Sequence, residues 1–154
     1  MENYNEGSSL TMGNGRTAAM YRAKEVKYPL VRQDGSTYML SNFQDGDMIS
    51  FSEDEARFTG MSDPQGSVGL SDNANSLGTA TATMQYGSPS CGLLIDLFNS
   101  GEVFSLHKND GVEYVGGDHC VIKQAPEVAD GKDYPTRAFT ITILDYEIKN
   151  AEDM

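Results

Sequence analysis

The chain has 154 residues, a length that suits one domain with a substantial core and requires no disulfide staples. Its formal net charge is −12, from 23 acidic and 11 basic residues, so it lacks the lysine and arginine excess with which proteins bind nucleic-acid phosphates. Two interpretations of the charge stay open: it keeps the protein soluble, or it lets DNA pass along a surface without sticking.

Residues 1–19 are rich in Gly, Asn, Ser and Glu and show no apolar period, which predicts a flexible N-terminal arm. This segment has neither the basic region nor the apolar region of a signal peptide, and no apolar run approaches the roughly 18 residues of a membrane span. We therefore expect a protein made in a cytoplasm, with no membrane contact. A single β domain is predicted over residues 20–150, followed by a C-terminal tail over residues 151–154.

The first predicted strands form a hairpin. An apolar run ending at Leu30 and a second run over residues 37–40 flank the pair Asp34-Gly35. An Asp-Gly pair between two apolar runs is a strong hairpin signal, because both residues tolerate the backbone angles of a tight turn. Pro29 lacks an amide hydrogen, which favours an edge strand or an irregular extended segment for the first run.

Four further segments read as short strands, over residues 48–52, 56–59, 67–71 and 78–86. In the second of them Phe58 is expected to point inward. The last segment, GTATATMQY, alternates strictly, so that its threonines share one face and its alanines share the other. A face made of threonine is polar but carries no charge.

One helix is predicted next, because Ser88 suits an N-cap, Pro89 suits the first helical position and Gly101 suits the end. Strands resume after it, and the last one, over residues 137–149, reverses its apolar parity at Leu144. That reversal predicts a bulge or bend, as at a corner between two packed sheets. The sequence thus predicts a mainly β protein, with two packed antiparallel sheets in a sandwich or barrel and one flanking α-helix.

The residues offer no constellation for catalysis. His107 and His119 are the only histidines, and neither has a metal-site spacing to Cys91 or Cys120, so we interpret both as ordinary strand residues. The cysteines are interpreted as two buried reduced thiols, with a disulfide within or between chains as the open alternative. Ser90 lies in GSPSCG, which is not a G-x-S-x-G elbow and is better explained as a helix start. We expect no enzymatic activity, metal or cofactor, and a protein that acts through its surfaces.

Five segments follow one another in a fairly specific order between Phe43 and Asn150: FQDGDMISFS, DPQGSVGLSDNANSLGTATATM, GSPSCGLLIDLF, CVIKQAPE and TRAFTITILDYEI. Each segment is a loose motif, but their order and spacing resemble the tail tube proteins of contractile-tailed bacteriophages. The N-terminal arm of about 20 residues departs from the family pattern, which leaves its role in contacts between rings open.

The resemblance implies a structural virion protein with a small β-barrel or β-sandwich fold and one flanking helix. Such proteins assemble as stacked hexameric rings into the inner tail tube, through which phage DNA passes into the host without specific binding. The implied partners are further copies of the chain, the tail sheath protein, the tape-measure protein and the baseplate. The implied location is the phage tail, with assembly in the host cytoplasm. Tubes with and without a sheath share this fold, so the presence of a sheath stays open.

We predict that the segments over residues 48–52, 56–59, 67–71 and 79–84 build the inner sheet of such a tube. Two alternatives stay open: the polar residues of these segments simply face solvent, or a one-residue register slip inverts the face. The residues predicted to face the channel are Ser50, Ser52, Arg57, Thr59, Thr79, Thr81 and Thr83.

The predicted hairpin over residues 29–39 is expected, together with the arm, to reach the neighbouring ring, because both segments are polar and extended. The residues predicted to take part in this stacking are Arg32, Asp34, Gly35 and Tyr38.

Two rival interpretations remain. One is a monomeric β-sandwich binding module, such as an extracellular domain that recognises glycans. The missing signal peptide, the absence of tryptophan and the lack of a secretory disulfide pattern weigh against it. The other is a different tube-fold component of a tail or baseplate.

Overall fold

The computed structural model describes residues 9–11 and 17–19 as backbone and residues 21–150 in full. Most of the predicted N-terminal arm and the predicted tail over residues 151–154 therefore lie outside the described residues. The described part of the arm forms two short paired strands.

Every ladder between described strands is antiparallel. The helix α1 spans Pro89–Ser100, and a 3-10 turn spans Ala23–Glu25. The strands are β1 Ser9–Thr11, β2 Thr17–Ala19, β3 Pro29–Val31, β4 Thr37–Met39, β5 Ile49–Glu53, β6 Phe58–Ser62, β7 Val68–Asp72, β8 Gly78–Gln85, β9 Phe104–Asn109, β10 Glu113–Gln124, β11 Thr136–Ile143 and β12 Glu147–Asn150.

The main sheet has the strand order β4-β3-β9-β10-β11-β8-β5, and β12 pairs with β10 off this path. Two small ladders, β1 with β2 and β6 with β7, are separate from it. The prediction of a mainly β antiparallel fold with one α-helix is confirmed for the described residues.

The main sheet curls around one core without closing into a barrel. Its edge strands are β4 and β5, and no ladder joins them within residues 21–150. The gap is spanned by aromatic contacts, since the ring centroid of Tyr28 lies 5.3 Å from that of Phe43 and 6.4 Å from that of Phe51. Buried side chains from both halves of the sheet share one cluster, among them Leu30, Leu106, Ala80, Phe139 and Ile141. The fold is therefore an open sandwich, with unpaired edges at β4 and β5 and along the outer side of β12, whose one ladder among the described strands is to β10.

Of the two alternatives for the first apolar run, the edge strand is wrong for β3, whereas residues 26–28 are an irregular extended segment with one isolated bridge. β3 pairs with β4 on one side and with β9 on the other. The ladder to β9 begins at Leu30, which pairs with Leu106, whereas Pro29 pairs only with Met39 of β4. The pairing with β9 is interrupted at the proline, which has no amide hydrogen to donate: the isolated bridge Lys27–Asn109 lies before it, and the ladder from the Leu30–Leu106 pair lies after it.

The predicted irregularity at Leu144 is confirmed. β11 and β12 lie along the same side of β10 and are separated by a turn over residues 144–146. Ile143 pairs with Cys120 and Glu147 pairs with Gly116, so the chain returns to the same neighbour after the break. The pairing with β10 keeps one register across the break, and Leu144 and Ile148 are exposed, so the change in apolar parity does not turn these side chains into the core.

The helix α1 begins and ends where the sequence predicts. The backbone N–H of Cys91 donates to Oγ of Ser88 at 3.2 Å, and Pro89 occupies the first helical position. Gly101 closes the helix in the left-handed region, with φ of 68°. Leu94 is buried in the core, so the helix packs its apolar stripe against the sheet.

Both cysteines are buried and free in the single chain, so no disulfide joins them within it. Cys91 lies in α1 and Cys120 in β10. Burial raises the pKa of Cys120 to about 12. Since the thiolate is the reactive form of cysteine, this thiol is inert near neutral pH.

Candidate assembly surfaces

A polar surface of β5 and β8 points away from the core. Their register places Ser50 opposite Thr81 and Ser52 opposite Thr79, and Thr83 follows on the same side. The alternate residues on these strands, including Ala80, Ala82 and Met84, are buried. The structure thus brings together five of the seven residues predicted to face a channel.

The same surface continues onto β11, which the sequence reasoning did not include. Thr140 lies opposite Thr81, and Thr142 lies opposite Thr79. The signal was present in TRAFTITI, where small residues alternate with apolar residues that prove buried. The serines and threonines of this surface carry no charge, and at its end Oγ1 of Thr79 donates a hydrogen bond to the carboxylate of Asp54 at 2.7 Å, next to the exposed Glu53. We call this combined surface the Ser/Thr face.

Within the single chain β6 and β7 form a separate two-stranded ladder, so the part of all four segments in the inner sheet of a tube stays a prediction. The ladder of β5 with β8 ends at the Glu53–Gly78 pair, and the ladder of β6 with β7 begins at the Phe58–Asp72 pair. Between them, residues 73–77 stand opposite the shorter segment 54–57. The extra residue acts as a bulge, which bends a hairpin and interrupts its pairing.

Residues 58–72, which we call the distal hairpin, extend beyond the core. A turn closes the hairpin, in which Oδ1 of Asp63 accepts hydrogen bonds from the backbone N–H groups of Gln65 and Ser67. Every residue of β6 and β7 is exposed. A two-stranded hairpin without further cover is marginally stable in water, so this segment needs an additional contact to be rigid.

One face of the distal hairpin is apolar. The register aligns Leu70 with Gly60 and Val68 with Ser62, which places Phe58, Val68 and Leu70 on the same side. Phe58 is 49% exposed, Leu70 71% and Val68 82%. The expectation that Phe58 points inward is therefore wrong, because its strand lies outside the core and every residue of β6 and β7 is exposed. Clustered exposed apolar side chains mark interaction sites.

Arg57 and Thr59, the other two residues predicted to face a channel, lie at the base of the distal hairpin. Nε of Arg57 is 3.3 Å from Oδ1 of Asp72, and its guanidinium lies 4.8 Å from the ring centroid of Phe58. Nδ2 of Asn73 donates to Oγ1 of Thr59 at 3.2 Å. The structure thus separates these two residues from the Ser/Thr face.

The four residues predicted to stack rings belong to the hairpin of β3 and β4. The backbone N–H of Ser36 donates to Oδ1 of Asp34 at 2.9 Å, and this bond lowers the pKa of Asp34. Gly35 has φ of 89°, as the turn requires. Tyr38 is exposed on β4, whose outer edge is unpaired among the described strands. The part of these residues in stacking stays a prediction.

Arg32 already has a partner within the chain. Its guanidinium donates to both carboxylate oxygens of Glu102, at 2.8 and 3.2 Å, and the backbone N–H of Gln33 donates to the same carboxylate. Hydrogen bonds from Arg32 lead the causes that lower the pKa of Glu102. This contact ties the β3–β4 hairpin to the segment after α1 and fixes its direction.

The residues that the sequence offered as candidates for catalysis or metal binding make structural contacts. Oγ of Ser90 is buried and accepts a hydrogen bond from the backbone N–H of Ser41 at 3.0 Å. Histidine, cysteine and carboxylate side chains form no group of three or more suited to a metal ion in the part of the chain that the structure describes. Within the same residues, no helix has the length and apolar character to cross a membrane.

No protein-family model matches the chain. No curated protein matches it in sequence. Solved structures with a similar fold include a chain of the virion of a native gene transfer agent particle. That chain has a TM-score of 0.58 and 11% identity, over 84% of this chain and 98% of its own length.

Two tube-ending proteins also have this fold. A chain of the anti-feeding prophage cap, a tube-terminating cap, has a TM-score of 0.52 and 11% identity, over 92% of this chain and 100% of its own. A chain of the PVC sheath/tube terminator of an extracellular contractile injection system, in the extended state, has a TM-score of 0.51 and 11% identity, over 86% of this chain and 99% of its own. At this identity the likeness establishes the fold.

Proposed function

We propose that the chain is a structural, non-enzymatic component of a phage-like tail particle and works by assembling with copies of itself into a ring around a channel. The observation that carries this proposal is the distal hairpin, which leaves the core with an uncovered apolar face. Because the chain is strongly acidic, two copies repel each other over most of their surfaces. Phe58, Val68 and Leu70 offer an apolar surface, bordered at its base by the Arg57–Asp72 ion pair, where copies approach with less repulsion.

The unpaired edges of the main sheet support the same proposal. β4 and β5 each present one row of backbone groups without a ladder partner among the described strands. Open edges are a hazard in a monomer, since they pair with any other strand that reaches them. In a ring each edge pairs with a neighbouring copy, and the closed symmetry leaves no edge free.

The Ser/Thr face has the character of a channel wall for DNA. Binding to the phosphate backbone depends on lysine and arginine, and the outward-facing strand residues of this face include neither. Water hydrates its hydroxyl groups, so DNA passes along this face without a fixed binding site. In this proposal DNA leaves a virion through the lumen.

A more specific form of the proposal follows from the resemblance of the sequence to tail tube proteins. Six copies form a ring, rings stack into the inner tube, and the tube contacts a sheath, a tape-measure protein and a baseplate. A second candidate is a ring that ends such a tube, favoured by the fold that the chain shares with two tube terminators. A tube component makes stacked rings, whereas a terminator makes single rings that do not stack.

Purified protein should form rings with a central hole. We expect light scattering after size-exclusion chromatography to report a hexamer, and negative-stain electron microscopy to show rings alone or stacked into tubes. A monomer at all concentrations up to the solubility limit would contradict the proposal and favour the binding module. Rings that never stack would favour the terminator.

Labelling at Thr81 tests the channel wall. In the variant Thr81→Cys we expect a bulky maleimide to react at least tenfold more slowly in assembled tubes than in free subunits, because a lumenal position excludes the reagent. The labelling is selective, since Cys91 and Cys120 are buried. Val128→Cys, at an exposed position in the loop between β10 and β11, serves as the control. Equal rates at Thr81→Cys in both states would remove the Ser/Thr face from the lumen.

A further inference from the structure

His107 is a buried histidine of β9 that none of the proposed assembly surfaces uses. Its ring stacks on Tyr114, with 4.5 Å between ring centroids and 18° between planes, and its Nδ1 lies 3.2 Å from Oγ of Ser105. Nε2 of His107 is the one buried side-chain nitrogen or oxygen without a hydrogen-bond partner in the described chain. An unpaired buried polar atom destabilises a fold, so its presence calls for an explanation.

An exposed carboxylate lies close to this nitrogen. Oδ1 of Asp118 lies 3.4 Å from Nε2, but the contact lacks hydrogen-bond geometry, and the Asp118 side chain is 69% exposed. Asp118 lies in a bulge of β10, where pairing with β9 skips from Gly117–Leu106 to Cys120–Phe104. The bulge frees Asp118 from the ladder, so a small rotation brings its carboxylate onto Nε2.

We propose that His107 and Asp118 form a proton-operated latch on the bulge of β10. In this proposal the neutral ring carries its hydrogen on Nδ1, which donates to Oγ of Ser105, so the lone pair of Nε2 offers nothing to a carboxylate. A proton taken from solvent at Nε2 makes both ring nitrogens donors. Ser105 then accepts from Nδ1 and Asp118 accepts from Nε2, so the latch closes and one exposed negative charge is neutralised.

The charged groups around His107 determine how readily its ring takes the second proton. Burial lowers the pKa of His107; Asp118 on β10, Glu147 on β12 and Asp145 in the connection oppose this shift, and Lys149 on β12 adds to it. A folded-state pKa below the ordinary value of about 6.5 means that the folded chain binds fewer protons than the unfolded chain. The stability from neutral His107 is therefore complete above about pH 6.5 and is lost as the pH falls below it.

The pKa of His119 is shifted in the opposite direction, so this histidine serves as a control. Its exposed ring places Nδ1 3.0 Å from Oδ2 of Asp145, and this hydrogen bond raises the pKa of His119. The stability that this pair contributes is present below about pH 6.5 and is lost as the pH rises through the raised pKa.

Titration of the His107 ring by nuclear magnetic resonance tests the latch. We expect a midpoint below about 6.5 in the native protein, a further downward shift in Asp118→Asn, and no downward shift in His119→Gln, which leaves the Asp145 carboxylate without its partner. The thermal unfolding midpoint should fall between about pH 7.5 and 5.5 less steeply in His107→Gln than in the native protein. An unchanged His107 midpoint in Asp118→Asn would overturn the latch, and this readout does not depend on the folding of His107→Gln.

Discussion

Replacing Gly116 with alanine should lower the free energy of unfolding by about 3 kcal/mol or more. Gly116 lies in β10 with φ of 141°, a conformation that residues with a Cβ rarely adopt. An added Cβ would meet the carbonyl oxygen of Leu106 and lie 2.8 Å from Cα of His107. Both atoms belong to the backbone of β9, so no side-chain rotation relieves the contact, and the central ladder of the main sheet has to separate.

Gly46→Ala is the matched control. Gly46 has φ of 128°, but an added Cβ meets only the side-chain Nε2 of Gln44, at 4.0 Å. This change therefore reports the backbone strain alone, and we expect it to cost about 1 kcal/mol. Urea unfolding followed by circular dichroism measures both variants. Equal losses at the two positions would show that the clash with β9 contributes nothing.

The second large effect is on assembly. Phe58→Ser combined with Leu70→Ser should prevent rings from forming at concentrations where the native chain assembles, while the thermal unfolding midpoint stays within a few degrees. Burial of each large apolar side chain contributes about 1.5–3 kcal/mol to a contact, so losing even one weakens the interface at least about tenfold. Sedimentation over a range of concentrations, with electron microscopy of the same samples, measures the change.

Val112→Ser is the matched control for the distal hairpin. Val112 is similarly exposed, but it lies between β9 and β10, far along the chain from β6 and β7. We expect this variant to assemble like the native chain. Native assembly of the Phe58→Ser, Leu70→Ser protein would remove the distal hairpin from the interface. Loss of its near-ultraviolet circular dichroism would instead mean that the hairpin supports the fold itself.

Local chemistry made several elements predictable from the sequence. The bounds of α1 follow from Ser88, Pro89 and Gly101, whose capping roles depend only on their immediate neighbours. The turn at Asp34-Gly35 and the break at Leu144 are local in the same way. Strict alternation in β8 also placed three threonines on one face, because the period of a strand is independent of its partners.

The part of the assembly surfaces that was missed depends on pairing between distant strands. Thr140 and Thr142 extend the Ser/Thr face only because β11 lies beside β8 in one particular register. Arg57 and Thr59 were assigned to this face, but a one-residue bulge sends them to the base of the distal hairpin. Alternation within one segment carries no information about which strand lies beside it.

The sequence by itself determined the helix, the tight turns and the inward or outward parity of the long strands, because these depend on residues within a few positions of one another. Only the tertiary structure decided that β3 lies inside the sheet, that Phe58 is uncovered and that Arg32 pairs with Glu102, 70 positions away. It also placed the His107 ring beside Asp118. Burial and charge pairing arise from long-range packing, so they became visible only once the strands were in place.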